Sequence, residues 1–206
     1  ITAVPGIDVS AHQGEIDWNK VADSGVEFAI LRGAYRGYSL GELHEDDTFA
    51  YNYRKAKKAG LLVGVYFFSQ AVNVQEAVEE AEYLCDLLDG KELDLPIFYD
   101  WEYLEGRVPQ VWELSVADLA VAFCEAVRNR GYEAGVYFNR DYGDNYLQLE
   151  KLEDYVIWLA EYATVPKASY HFHCLQYTDK GSVPGIDGAV DLDLLILPEE
   201  DASGGS

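Results

Sequence analysis

The sequence is poor in basic residues and contains no long apolar run. Fifteen lysine and arginine residues stand against 37 aspartate and glutamate residues, which gives a formal net charge of −22. Because this charge repels phosphate groups, we expect neither a nucleic-acid partner nor an anionic membrane surface as a partner. No apolar stretch reaches about 18 residues, so no membrane insertion is predicted. The chain starts at Ile1 without a signal-peptide pattern.

Cysteine is also scarce. Cys85, Cys124 and Cys174 are an odd number of residues without Cys-x-x-Cys spacing, a pattern typical neither of a disulfide framework nor of a zinc site. Cys85 and Cys124 fall on the apolar faces of predicted helices, so we predict buried free thiols. His171 and His173 form a His-x-His pair, but no acidic residue joins them at ligand spacing. No metal and no cofactor are therefore predicted.

The length and composition predict a single domain. The 206 residues are 49% hydrophobic, enough for a sizeable core. We place the domain over residues 1–199 and a flexible tail over residues 200–206, which end in glycine and serine. Four tryptophans and sixteen tyrosines are a high aromatic content. Such rings suit stacking on sugars, although most of them would belong to the core of any domain.

Strands and helices alternate along the first three quarters of the chain. Strands are predicted at residues 4–10, 28–31, 61–69, 96–103, 134–139, 155–162, 172–177 and 190–197, and helices at 17–22, 46–60, 74–88, 115–130 and 144–152. The segments between the last three strands are too short to contain a helical crossover. We therefore predict that loops join these strands, which would allow them to pair antiparallel. The pattern predicts an α/β fold, a single irregular TIM-like β/α barrel with five βα units followed by three strands.

Two acidic residues lie in the predicted strand over residues 96–103. Side chains alternate along a strand, so Asp100 and Glu102 share one face, with Cα atoms roughly 6.5 Å apart. No lysine or arginine lies between Leu93 and Gly106 to pair with them. Environments that push the pKa values of two carboxyl groups apart allow one to donate a proton while the other is ionised. The alternative is a strand end whose acids simply face water.

Polar and aromatic residues occur late in every predicted strand, and in β/α barrels the chemistry collects at that end. We therefore expect one rim to gather Asp8, Ser10, Arg32, Tyr66, Phe68, Asp100, Glu102, Tyr137, Asn139, Trp158, Glu161, Tyr162, Gln176 and Tyr177. Any single tyrosine or tryptophan in this set has the alternative of an ordinary core position.

Several of these residues stand in motifs that occur in the same order in one known family. The motifs are Gly6-Ile7-Asp8-Val9-Ser10 with Gln13-Gly14, Gly64-Val65-Tyr66-Phe67-Phe68, Asp100-Trp101-Glu102, Gly135-Val136-Tyr137, Trp158-Leu159-Ala160-Glu161-Tyr162, Gln176-Tyr177 and Val190-Asp191-Leu192-Asp193. Together they resemble glycoside hydrolase family 25, the Chalaropsis-type lysozymes, over residues 5–197. The resemblance implies a β/α barrel with irregular last strands and N-acetylmuramidase activity on bacterial peptidoglycan. It also implies a monomer that acts outside the cell or in the cell wall, with glycan strands as its partner.

Carried over position by position, the resemblance implies Glu102 as the general acid and Asp100 as its partner. Asp8 and Asp191 become the flanking acids of the site. The substrate-binding residues predicted around them are Arg32, Tyr66, Phe68, Tyr137, Trp158, Tyr162 and Gln176. The chain departs from many relatives in having Phe67 where they have His and Asp193 where they have Asn. Asp193 shares a strand face with Asp191, so the choice between them rests on the motif.

The spacing of the acidic pair limits the catalytic mechanisms that it can support. Residues i and i+2 of one strand are too close to straddle a sugar ring as independent acid and nucleophile. They suit Glu102 as proton donor and Asp100 as the group that orients a substrate acetamido nucleophile, with retention or inversion left open.

Two alternatives belong to other functions. A non-catalytic wall-binding or glycan-binding barrel would be expected to lack one of the two acids. A glycosidase for another N-acetylated polymer, such as chitin, usually carries a longer string of alternating acids. Metal-dependent deacetylation would need a His-x-x-x-His pair, which the sequence does not contain.

Overall fold

A computed structural model describes residues 2–107 and 116–197. Eight of its strands form a closed barrel in the order β1-β9-β8-β7-β6-β5-β4-β2, and pairing between β1 and β2 closes the ring. The predicted α/β barrel is thus confirmed. The elements are β1 (Thr2–Val9), α1 (Trp18–Asp23), β2 (Phe28–Arg36), β3 (Leu43–Glu45), α2 (Phe49–Lys58), β4 (Leu62–Ser69), α3 (Val74–Leu88), β5 (Ile97–Trp101), α4 (Val116–Asn129), β6 (Ala134–Asn139), α5 (Arg140–Asn145), β7 (Val156–Ala160), β8 (Cys174–Gly181) and β9 (Val190–Leu197).

Only β9 runs against the other strands of the barrel. It pairs antiparallel with both β8 and β1, whereas the six remaining barrel pairings are parallel. The last three strands are joined by loops, as predicted, but β7 and β8 pair parallel. Residues 161–173 cross back to the start of β8 without a helix.

Three predicted segments differ from the structure. Residues 35–45, for which neither a strand nor a helix was predicted, hold the end of β2 and the short strand β3, which pair antiparallel as a hairpin outside the barrel. The helix predicted over 144–152 is α5 followed by a 3-10 turn, Leu149–Lys151. It starts earlier because Asn139 accepts a hydrogen bond from the Tyr142 N–H at 3.0 Å. β5 ends at Trp101, so Glu102 lies just beyond the strand.

Other predictions agree closely. Asp17 caps α1 by accepting a hydrogen bond from the Lys20 N–H at 3.2 Å, and α3 has the bounds that its apolar repeat predicts. All three cysteines are buried and free. The predicted tail over 200–206 lies outside the described residues, as does Ser115, where a helix was predicted to begin. No helix in the described ranges has the length and apolar character needed to span a membrane.

The barrel interior is filled by large side chains. Phe28, Tyr66, Phe98 and Trp158 form one buried cluster, and Trp158 packs edge-on against the Phe98 ring with centroids 5.2 Å apart. A Cβ added at Gly135 would lie 2.6 Å from the Phe98 ring, so this glycine makes room for the aromatic filling. Each such ring stabilises the fold by about 1.5–3 kcal/mol through burial. The cluster fills the barrel interior below the carboxyl ends of the parallel strands.

A buried ion pair ties the barrel to α3. Arg36, at the end of β2, donates from Nε to Oε1 of Glu80 at 2.8 Å. The guanidinium is 5% exposed and the carboxylate is fully buried. Ser69 donates from Oγ to the second Glu80 oxygen at 2.6 Å. Burial nevertheless raises the pKa of Glu80 to about 7, in spite of the hydrogen bonds from Ser69 and Arg36.

Candidate active site

A cleft of about 450 Å³ opens at the carboxyl ends of the parallel strands. All eleven residues predicted to form the site line it, and His12, Leu104 and Asp179 line it too. The predicted set is Asp8, Arg32, Tyr66, Phe68, Asp100, Glu102, Tyr137, Trp158, Tyr162, Gln176 and Asp191. The structure thus brings together, on one rim, side chains from all eight barrel strands and from the residues that follow β5 and β7.

Asp100 and Glu102 form a hydrogen-bonded carboxyl pair at the end of β5. Asp100 is 6% exposed, and burial, followed by the charge of Glu102, raises its pKa well above the usual range. Glu102 opens into the cleft, but its surroundings still desolvate the carboxyl, which raises its pKa although the hydrogen bond with Asp100 opposes this. A hydrogen bond between two carboxyl groups needs one proton, so the two groups titrate together as a pair.

The backbone of Glu102 is held by Gln70, the residue that follows β4. Because β5 ends at Trp101, the Glu102 carbonyl lies beyond the hydrogen bonds that join β5 to its neighbouring strands. Gln70 is fully buried and donates from Nε2 to this carbonyl oxygen at 2.7 Å. Arg107 in turn donates to the Gln70 carbonyl oxygen at 3.2 Å. Gln70 was not among the predicted site residues, since nothing local in the sequence pairs it with residue 102.

Three aspartates cluster at the opposite wall, and two of them, Asp8 and Asp191, line the cleft. Asp8 of β1 lies beside Asp191 of β9 in the antiparallel register, and its carboxyl is hydrogen-bonded to those of Asp191 and Asp193. Burial and then the charges of Asp193 and Asp191 raise the pKa of Asp8 well above its usual range. Burial also raises the pKa of Asp193 to about 7. Asp191 lines the cleft, whereas Asp193 is fully buried below it.

Gln176 connects the aspartates to two tyrosines. Its Nε2 donates to Asp8 Oδ2 at 2.7 Å, and its Oε1 accepts hydrogen bonds from the Tyr137 hydroxyl at 3.0 Å and the Tyr162 hydroxyl at 2.7 Å. Both amide atoms of Gln176 are therefore used, and the side chain is 3% exposed. The two hydroxyl groups are oriented by this amide, which leaves the face of the half-exposed Tyr162 ring open to the cleft.

Arg32 lines the cleft, and its charge acts to lower the pKa of Asp100. It donates from Nε to Asp46 Oδ2 at 2.8 Å and lies 4.8 Å from the centroid of the Tyr35 ring. Burial acts to raise the pKa of Asp46, but hydrogen bonds from Thr48, Ala11 and Arg32 hold it below its ordinary value. Asp46 was predicted only as a helix start. It instead fixes the direction of the Arg32 side chain.

The histidine pair lies away from the cleft, just before β8. The Ile157 N–H donates to Nδ1 of His173 at 3.0 Å, and the His171 and His173 rings meet edge to face at 4.6 Å. Within residues 2–107 and 116–197, no group of three His, Cys, Asp or Glu side chains could hold a metal ion.

The arrangement suits one type of chemistry. Cleaving a glycosidic bond needs a protonated acid at the leaving oxygen and negative charge near the oxocarbenium-like carbon. The cleft supplies a carboxyl pair that carries a proton, further carboxyl groups on the opposite wall, and aromatic rings that can stack on sugars. The fold and the cleft together define a glycoside hydrolase.

Comparisons with known proteins agree with this. The model of the family described as glycosyl hydrolases family 25 matches residues 7–186. The autolytic lysozyme of Clostridium acetobutylicum is 32% identical over 190 residues, which cover 91% of this chain and 54% of that protein. Lysozyme M1 of Streptomyces globisporus is 28% identical over 203 residues, covering 92% of this chain and 67% of that protein. The chain thus spans about half the length of the first relative and two thirds of the second.

Solved structures give the same result. The modular autolysin LytC of Streptococcus pneumoniae superposes with a TM-score of 0.81 at 28% identity, over 94% of this chain and 47% of that one. A family 25 glycosyl hydrolase from Bacillus anthracis has the same fold, with a TM-score of 0.78 at 23% identity over 95% of this chain and 90% of that one. This chain belongs to glycosyl hydrolases family 25.

Proposed function

We propose that this chain is a lysozyme, an N-acetylmuramidase that hydrolyses the β-1,4 bond between N-acetylmuramic acid and N-acetylglucosamine in bacterial peptidoglycan. The observation that carries the proposal is the proton-sharing Asp100–Glu102 pair at the mouth of a barrel of this family. Two relatives named as lysozymes support peptidoglycan as the substrate. As the wall lies outside the cytoplasm, we place the activity outside the cell or in the cell wall.

Glu102 is the general acid of the proposed reaction. Its carboxyl faces the open cleft, while Asp100 lies buried behind it, so Glu102 is the member of the pair that reaches a glycosidic oxygen. Desolvation raises its pKa, which keeps it protonated at a higher pH than an ordinary glutamate. As the bond breaks, its proton moves to the leaving oxygen.

Asp100 positions the nucleophile. Its Oδ1 is buried and has no hydrogen-bond partner among the described residues, so it can accept a hydrogen bond from the N–H of a substrate acetamido group. The acetamido carbonyl oxygen then forms a bond to the anomeric carbon while the glycosidic bond breaks. In the second step the Glu102 carboxylate takes a proton from water, and the water oxygen displaces the acetamido oxygen. Both displacements occur at one carbon, so the configuration is retained.

The remaining predicted residues bind the sugar. Asp8 and Asp191 place carboxyl groups across the cleft from Glu102, and Gln176 orients the tyrosine hydroxyls. All of these side chains belong to one chain, so a monomer suffices for the reaction.

Digestion of purified peptidoglycan tests the proposal. The soluble fragments are reduced with borohydride and analysed by mass spectrometry, and a muramidase leaves muramitol at the reduced end. Glu102→Gln should keep the fold and lose about 10²- to 10⁴-fold in rate, because the amide cannot donate the proton. Glucosaminitol ends would overturn the assignment of the bond. Faster cleavage of chitin oligosaccharides would indicate another polymer, and binding without cleavage would indicate a glycan-binding barrel.

A further inference from the structure

Glu102 lines two large clefts. Besides the cleft described above, it lines a second cleft of about 430 Å³, whereas a further cavity that it lines beside Trp101 and Tyr142 holds only about 130 Å³. Tyr137 and Tyr162 line both, so the two clefts adjoin along these three side chains. The second cleft is formed by the end of β6, the start of α5 and the residues that follow β7.

The acids are divided unequally between the two clefts. Asp100, Asp8 and Asp191 line the first, and none of them lines the second. The sugar whose anomeric carbon reacts must lie beside Asp100, so it occupies the first cleft. Because Glu102 protonates the leaving oxygen, the sugar attached to that oxygen continues past Glu102, away from the aspartates.

The second cleft contains a positively charged hydrogen-bond donor in a fixed orientation. Arg140 donates from Nε to Asp144 Oδ2 at 3.0 Å and from Nη1 to Glu161 Oε1 at 3.2 Å. Glu161 is itself held by the backbone N–H of Lys167, at 2.9 Å from Oε1. Nη2 of Arg140 makes no hydrogen bond within residues 2–107 and 116–197, and the side chain is 38% exposed. A guanidinium aligned by two acids loses little freedom when its free nitrogen binds a ligand.

We propose that this second cleft is the binding site for the leaving-side N-acetylglucosamine, with Arg140 Nη2 donating to an oxygen of that sugar. The half-exposed Tyr162 ring gives the sugar an aromatic face on the wall shared with the first cleft. This inference rests on the proposed function and adds which residues hold the product that leaves first.

Two substrates separate this role from a general effect on folding. One is a peptidoglycan tetrasaccharide whose central muramic acid bond is cleaved, so that an amino sugar leaves. The other is a disaccharide ending in N-acetylmuramic acid with a fluorescent aryl leaving group, which offers no sugar to the second cleft. Arg140→Met should lower kcat/KM for the tetrasaccharide about 10- to 100-fold, the effect of losing a charged hydrogen bond. It should leave turnover of the aryl glycoside within about twofold.

Arg54→Met, at an exposed position on α2, is the matched control for the lost charge and should change neither rate. Equal losses on both substrates, or no loss on the tetrasaccharide, would overturn the assignment. Should the parent protein cleave neither substrate, the proposed function fails, but titration calorimetry still tests Arg140. The inference then requires that Arg140→Met weaken tetrasaccharide binding at least about 10-fold.

Discussion

Trp158 donates a hydrogen bond from Nε1 to Oδ1 of Asp193 at 2.8 Å, with both side chains buried in the barrel. Asp193 is hydrogen-bonded to Asp8, and Asp8 accepts the amide of Gln176. The indole that fills the barrel is therefore joined to the acids of the cleft through one chain of hydrogen bonds. Because every link is buried, a change at Asp193 acts on the cleft without touching the substrate.

Asp193→Asn should change how stability depends on pH. Burial raises the pKa of Asp193 from its ordinary value of 3.8 to about 7 in the folded protein. The folded state therefore holds the proton of Asp193 more tightly than the unfolded state does. The stability that this proton contributes is complete below about pH 4 and is lost as the pH rises to about 7. Asparagine does not titrate. Between pH 4.5 and 7.5, the free energy of unfolding of the variant should fall by about 3 kcal/mol less than that of the parent, measured by urea denaturation. Equal falls would contradict the pKa of Asp193.

Asp100→Asn should slow the reaction although Asp100 gives no proton to the leaving group. The amide keeps the shape of the side chain but removes the negative charge that faces the activated acetamido group. We expect kcat to fall about 10²- to 10³-fold, with a smaller change in KM. Glycan whose muramic acid has lost its N-acetyl group should be bound but cleaved far more slowly by the parent. Unchanged cleavage of that glycan would remove the acetamido group from the mechanism.

The first product should be the β anomer, because two displacements at the anomeric carbon restore its configuration. Proton NMR in the first minutes of digestion, before mutarotation, measures this directly. An initial α anomer would exclude the acetamido route. Asp8 or Asp191 would then be the candidate base for a water that attacks the opposite face.

Gln70→Leu should impair catalysis through the backbone of Glu102. Leucine is close to glutamine in size but leaves the Glu102 carbonyl without its 2.7 Å hydrogen bond. We expect kcat to fall about 10-fold or more with little change in KM, because the acid moves relative to the bond it protonates. Gln75→Leu, at an exposed position on α3, is the control. A loss confined to thermal stability, with kcat intact, would limit Gln70 to a structural role.

Arg36→Met should destabilise the protein strongly at neutral pH. It leaves the Glu80 carboxylate buried without its cation, which costs about 3–5 kcal/mol. With the pKa of Glu80 already raised to about 7, the loss should be smaller at pH 5, where the carboxyl can take up a proton. The double variant Arg36→Met/Glu80→Leu should recover most of the stability in urea denaturation. A double variant as unstable as Arg36→Met would show that the remaining contacts of Arg36, to the Gly41 and Glu76 carbonyls, matter more.

Local sequence patterns predicted the elements that local interactions determine. The Asp100–Glu102 spacing, the apolar repeat of α3 and the late position of polar residues in each strand depend on neighbours in the chain. Asn139 could also have been recognised in the sequence as a helix cap, since Asn is a preferred residue at that position. This would have predicted the start of α5 correctly. The short strand β3 was missed because three residues carry too little periodicity to indicate a strand.

Pairings between distant residues could not be predicted. Asp8 and Asp191 meet because β9 runs antiparallel to β1 in one particular register, and periodicity alone does not specify that register. The burial of Asp193 under Asp8 follows from the same pairing. Gln176 was predicted to bind substrate, but the partners of its side-chain amide, Asp8, Tyr137 and Tyr162, became apparent only in the folded structure.

The position of β9 makes the cleft the product of a late event in folding. β9 completes the barrel by joining β8 to β1, and it supplies Asp191 and Asp193 to the wall opposite Glu102. During synthesis Glu102 leaves the ribosome well before β9 does. Until β9 emerges, the wall opposite Glu102 lacks Asp191 and Asp193. Joining strands so distant in sequence is slow, because the entropy of closing the loop is lost before the contacts form. We therefore expect that a chain truncated before β9 keeps the acids of β1 and β5 but has no hydrolytic activity.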